Sequence, residues 1–178
     1  MARLFALTLA VVLSMLLAVA ADPRSWGEPG NGLRLSVSLA ADESGNDPVL
    51  EIAIQNVGKT DVLLPLGGVF DYWGCGSDRM KIVLNRPDGT SGLVTCSVMS
   101  HLGEMGSLVV PLPPGASYRL RNPIARYLVA SEPLSSAIHR SLQLRVELNT
   151  STSDCRVYQS GPRCWHGTLV SNVLQLPN

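Results

Sequence analysis

The residues best suited to chemistry by type and spacing are Met99, His101 and Met105, in the stretch VMSHLGEM. Thioether sulfur and imidazole nitrogen are ligands that suit Cu(I), so the spacing gives a weak hypothesis of copper binding. The alternative is a loop in which the methionines fill packing gaps and the histidine is hydrated. We favour the loop and predict neither a metal site nor a cofactor.

Three aromatic residues, Phe70, Tyr72 and Trp73, stand just before Cys75 in a chain that has few aromatics. A group of this kind can stack on a sugar or anchor a protein partner. On a strand, however, Phe70 and Tyr72 share one face and Trp73 points to the other. One of the two sides is therefore expected to be core, and we weigh core packing above ligand contact.

The four cysteines are Cys75, Cys96, Cys155 and Cys164. If the chain is exported from the cytoplasm, an even number of cysteines predicts two disulfides, because the compartments outside the cytoplasm oxidise thiols. Three pairings are possible; we favour Cys75–Cys96 and Cys155–Cys164, since each pair flanks a short connection. A four-cysteine zinc site usually has pairs spaced C-x₂₋₄-C, which this sequence lacks.

No arrangement of nucleophile, base and acid stands out. The Gly-x-Ser-x-Gly elbow of serine hydrolases is absent, so we predict no catalytic residues and a function other than an enzyme's. The formal net charge is zero, which argues against a nucleic-acid surface. Alternation places Arg119 and Arg121 on one solvent face, which we interpret as hydrated surface rather than an anion site.

Apolar and polar residues alternate over several short stretches, the pattern of strands with one buried and one wet face. The apolar members are Leu33, Leu35, Val37 and Leu39, then Leu50, Ile52 and Ile54, then Met80, Ile82 and Leu84, then Leu142, Leu144, Val146 and Leu148. Between these stretches lie turn signals such as Pro87-Asp88-Gly89 and Pro113-Pro114-Gly115. Residues 133–140 form either a short helical turn or a loop. The whole predicts an all-β, antiparallel sandwich.

The N-terminus has the order of a secretory signal peptide. Arg3 precedes an apolar run from Leu4 to Val19, which ends in the small-x-small pattern Ala18-Val19-Ala20. We predict a signal peptide over 1–20, a flexible lead-in over 21–32 and one domain over 33–178. A retained anchor is the alternative. After cleavage we expect no membrane span and a protein that is secreted or periplasmic.

Two further segments carry a resemblance to a known family. The stretch LEIAIQNVG at 50–58 and the turn LPPGAS at 112–117 resemble the strand and turn motifs of bacterial exported immunoglobulin-like β-sandwich proteins of uncharacterised function. More distantly, the same order is similar to the immunoglobulin-like intracellular proteinase inhibitor of bacilli. The resemblance implies an immunoglobulin-like sandwich of about seven to nine strands.

From these observations we expect a non-catalytic, monomeric or weakly associating domain that binds an unknown protein or surface partner. The alternatives are a secreted proteinase inhibitor and a periplasmic copper-binding protein.

Overall fold

The alternating stretches fold as strands. A computed structural model describes residues 24–41, 48–68, 79–96, 107–129, 132–137, 142–155 and 162–176. In these residues the chain is mostly β-strand, arranged in three sheets. None of the helices within the described ranges is long and apolar enough to cross a membrane.

Strands are numbered in chain order. The first sheet is antiparallel, with the order β1 (Leu33–Ala41), β2 (Pro48–Asn56) and β7 (Ser117–Pro123). In the second sheet β3 (Val62–Gly68) lies between antiparallel β6 (Ser107–Leu112) and parallel β11 (Arg163–Cys164). The third sheet runs β12 (Gly167–Val170), β10 (Gln143–Thr150), β4 (Met80–Asn85), β5 (Ser91–Cys96), β8 (Tyr127–Val129) and β9 (Glu132–Pro133). A last strand, β13 (Leu174–Gln175), also pairs with β10.

All three sheets contribute to one hydrophobic core, as a sandwich requires. Its buried members include Leu35 and Ile52 from the first sheet, Leu64 from the second, and Leu84 and Val146 from the third. Each such side chain contributes roughly 1.5–3 kcal/mol when it is fully withdrawn from water. The predicted alternation is thus the physical origin of the fold: apolar residues at every second position face the shared interior.

The described residues contain thirteen strands, more than the seven to nine expected. Nine of them have four residues or more, and the others, β8, β9, β11 and β13, have two or three. Pairings this short leave no readable period in a sequence. The segment assigned to helical turn or loop contains a single turn of α-helix, α1 (Leu134–Ala137). Two 3₁₀ turns cover Ile124–Arg126 and Thr152–Cys155.

The Pro87-Asp88-Gly89 signal forms the hairpin between β4 and β5. The Gly89 N–H donates to the Arg86 carbonyl at 3.0 Å, and Gly89 has φ of 82°. A type I turn followed by a residue in the left-handed region is a standard three-residue hairpin loop. The Thr90 N–H and hydroxyl both donate to the Asp88 carboxylate, and these bonds lower the pKa of Asp88.

A disulfide joins Cys155 to Cys164, the second of the favoured pairs. It fastens β11 beside β3, where the Trp165 N–H donates to the Leu63 carbonyl at 2.8 Å. The Trp165 side chain is buried directly after the disulfide. Cys75 lies outside the described residues, so the pairing Cys75–Cys96 stays a prediction.

Candidate functional site

The outward surface of the first sheet carries a group of charged side chains that are linked by ion pairs. We call this surface the arginine face; it comprises Arg34, Glu51, Gln55, Arg119 and Arg121, with Arg24 and Trp26 laid against it. These strand positions share one face because successive side chains of a strand alternate. The strand register places Arg34 beside Gln55 and Glu51 beside Arg121.

Within the described ranges Glu51 is the only carboxylate of the arginine face, and it is almost fully buried, with 6% of its surface exposed. One of its oxygens lies 2.7 Å from the Arg24 guanidinium, and the other lies 3.1 Å from Nε of Arg121. A buried carboxylate is tolerated when charged donors satisfy both oxygens. Glu51 therefore holds two arginines in fixed positions, one from the lead-in and one from β7.

Arg34 fixes the other end of the face. Its Nε and Nη2 both donate to the Gln55 side-chain oxygen, at 2.8 and 2.6 Å. Its guanidinium also lies over the Trp26 ring, 4.3 Å from the ring centroid. A cation at this distance from an indole face is attracted by the ring quadrupole. Arg34 is thereby held from two sides, by an amide on β2 and an aromatic ring on the lead-in.

The lead-in is positioned by a tight turn that the sequence Asn31-Gly32 provides. Both residues have positive φ, 50° and 85°, which defines the type I′ turn preferred by Asn-Gly. On either side of it, Gly30 and Leu33 exchange two backbone hydrogen bonds, of 2.8 and 3.1 Å. The chain before the turn consequently runs back along the edge of β1.

Further contacts hold the lead-in along that edge. The Gly27 N–H donates to the Leu35 carbonyl at 2.9 Å, and the Trp165 indole N–H donates to the Gly30 carbonyl at 3.2 Å. Gly27 lies so close to β12 that a Cβ built on it would be 1.9 Å from the Val170 carbonyl oxygen. Residues 24–30, predicted as a flexible lead-in, thus contact β1, β2 and the C-terminal strands.

Arg119 is the most available cation of the face. It is exposed on β7 between the outward-facing Ser117 and Arg121. It makes no hydrogen bond or ion pair with any residue in the described ranges, whereas Arg121 bonds both Glu51 and the Ala41 carbonyl. The predicted exposure of Arg119 and Arg121 on one face is confirmed.

The sequence did not reveal Arg24, Trp26 and Glu51 as parts of a site. Alternation predicted Glu51 and Ser36 to be solvated, and this is wrong, since both are buried. Their positions do point away from the core, but the long side chains of the face cover them, as Arg24 and Arg121 cover Glu51. The path of the lead-in brings Arg24 to Glu51, and the cross-strand register brings Arg121 to it. Neither can be predicted from the sequence.

The candidate residues singled out from the sequence lie elsewhere in the chain. Phe70, Tyr72 and Trp73 are outside the described residues, as are Met99, His101 and Met105. Their proposed roles in partner contact and copper binding therefore stay predictions. Within the described ranges, no group of three or more His, Cys, Asp or Glu side chains is arranged to hold a metal ion.

Comparison with known proteins adds little. No protein-family model matches the chain, and no curated protein matches it. One solved structure, the X-ray structure of Northeast Structural Genomics Consortium target SoR45, aligns with 83% of this chain and 88% of its own. It shares 16% sequence identity at a TM-score of 0.38. A likeness this weak carries no argument about fold or function.

Proposed function

We propose that the protein is an exported, non-catalytic, immunoglobulin-like domain that binds a protein partner through the arginine face. The observation that carries the proposal is the composition of this face: among the described residues, four arginines and one tryptophan gather on or against one sheet with a single, buried carboxylate. Arginine and tryptophan are the residues most enriched at the energetic centres of protein interfaces.

The side chains of the face are held in place before any partner arrives. Glu51 orients Arg24 and Arg121, and Gln55 with Trp26 orients Arg34. Because these side chains are already ordered, binding would lose less rotamer entropy than at a flexible basic patch. The underlying scaffold is a sheet, which is more rigid than a loop.

Two observations support the immunoglobulin-like and exported parts of the proposal. In the first sheet β2 lies between β1 and the later strand β7, as strand B lies between strands A and E in immunoglobulin domains. The disulfide Cys155–Cys164 is of the kind that persists in oxidising compartments. An export signal over 1–20 would deliver the chain there.

The native complex provides the test. The tagged protein is purified gently from its own compartment and its mass is measured by size-exclusion chromatography with light scattering. The Arg119→Glu variant should elute at monomer mass, because it reverses a charge on the face without removing an internal contact. Arg163→Glu, an equal charge reversal at an exposed site on β11, should leave the complex intact. A complex that survives in both variants, or a wild-type protein that is always monomeric, would refute the proposal.

A further inference from the structure

We infer that the partner presents an extended acidic segment that adds to the first sheet as a fourth strand, beside β7. This inference rests on the proposed function and specifies the chemistry of the partner. It follows from a difference between the two edges of the sheet. Other parts of the chain bond to the β1 edge, whereas no described strand pairs with the β7 edge.

The β1 edge is closed by other parts of the chain. Leu33 exchanges hydrogen bonds with Gly30, and the Leu35 carbonyl accepts from Gly27. Further along, the Asn172 side-chain amide bonds both the N–H and the carbonyl of Val37, at 2.8 and 3.0 Å. Leu33, Leu35 and Val37, whose backbone groups face away from β2, are therefore all engaged. No further strand can pair with β1 between Leu33 and Val37.

The β7 edge is open within the described part of the chain, where no strand pairs with it beyond β2. The Asn56 N–H donates to the Ala116 carbonyl at 3.0 Å. This bond shows which residues of β7 direct their backbone groups to β2 and which direct them away from it. In an antiparallel pair, every second residue directs its backbone groups to the neighbouring strand. Tyr118 and Leu120 accordingly direct theirs to β2, and Arg119 and Arg121 direct theirs to the open edge.

The same two residues carry the charges of the edge. Their side chains lie on one face, two residues apart, at a spacing of about 7 Å. An added strand with carboxylates at every second position has the same period, so each carboxylate would lie opposite one arginine. Opposite charges on directly paired residues stabilise strand pairing, and main-chain hydrogen bonds supply the rest of the affinity, as in other cases of strand addition. Pro123 ends the edge, because it has no N–H to offer.

A defined peptide tests the inference with purified protein. The probe is fluorescein-labelled acetyl-Glu-Val-Glu-Val-Glu-Val-Glu-amide, and the controls are the same peptide with lysine for glutamate and dextran sulfate. We expect saturable binding of the acidic peptide, reduced about tenfold or more by Arg119→Glu and changed less than about twofold by Arg163→Glu. Amide exchange followed by NMR should show new protection at the N–H groups of Arg119 and Arg121.

Three results would overturn the inference. One is the absence of acidic-peptide binding, in which case the arginines serve only to keep the edge from aggregating. Another is equal loss of binding in both variants. The third is binding without amide protection, matched by dextran sulfate, which would indicate recognition of any polyanion. If the peptide result fails while Arg119→Glu still dissociates the native complex, the acidic strand is refuted and the proposed function stands.

Discussion

The substitution Glu51→Gln removes the charge at the centre of the arginine face and keeps the size of the side chain. Arg24 then lies against a neutral amide with only 17% of its side chain exposed. A hydrogen bond to a charged group that is lost in such surroundings costs about 1.5–3 kcal/mol. Arg121 has 44% of its side chain exposed, so water screens its loss and the cost there is about 0.5 kcal/mol. The variant should lose about 2–3.5 kcal/mol of unfolding free energy.

Urea denaturation of the purified, oxidised protein followed by circular dichroism measures this loss, and thermal unfolding should show a midpoint lower by roughly 5–10 °C. Glu147→Gln is the matched control. Glu147 pairs with Arg145 at 2.9 Å, but their side chains are 30% and 41% exposed, so this substitution should cost about 0.5 kcal/mol or less.

A double-mutant cycle then assigns the loss to a particular pair. Glu51→Gln combined with Arg24→Met should show a coupling of about 1 kcal/mol or more, and combined with Arg121→Met a smaller one. Two results would contradict this role of Glu51: a cost of Glu51→Gln no greater than that of Glu147→Gln, or effects of Glu51→Gln and Arg24→Met that simply add. Either result would mean that the lead-in does not depend on Glu51 for its position.

Three further predictions concern the rest of the domain. Replacing Cys155 and Cys164 together by serine should lower the unfolding free energy by about 2.5 kcal/mol, since the bond closes a loop with a sequence separation of nine; an unchanged urea midpoint would contradict this. Burial raises the pKa of Tyr127 to about 12 from 10.0, so unfolded chains release this proton first and stability should fall by up to about 3 kcal/mol between pH 10 and pH 12. Urea titrations across that range should show a shallower loss for Tyr127→Phe, and an equal loss would refute the assignment. Gly27→Ala should cost about 1–3 kcal/mol because its methyl group meets the backbone of β12, and the cost should exceed that of Gly89→Ala, where only the positive φ is at stake.

The sequence predicts those parts of the fold that depend on a local pattern, such as alternating apolar residues or a turn motif. Leu142 to Leu148 alternate without interruption, and all four apolar members are buried, Leu142 just before β10 and the other three within it. Pro87-Asp88-Gly89 likewise forms its turn from its own chemistry. In both cases each residue's role depends only on its near neighbours in the chain, so a reader of the sequence needs no knowledge of the rest of the fold.

The arginine face could be predicted only in part, because it depends on contacts between distant residues. The exposure of Arg119 and Arg121 follows from alternation on β7. The burial of Glu51 does not, since it requires the turn at Asn31-Gly32 to fold the preceding segment back, so that Arg24, twenty-seven positions before Glu51, reaches β2. Pro and Gly in the lead-in indicate turns, but they do not indicate which surface the segment covers.

Site-specific photo-crosslinking tests the central claim most directly. A photoreactive amino acid replaces Ser117, which lies exposed on β7 beside Arg119, or Lys81, which lies exposed on β4 in the third sheet. After irradiation in the native compartment, we predict a crosslinked protein of one discrete mass from position 117 and none from position 81. Crosslinking from position 81 but not from position 117 would contradict the claim, because the partner would then bind the third sheet.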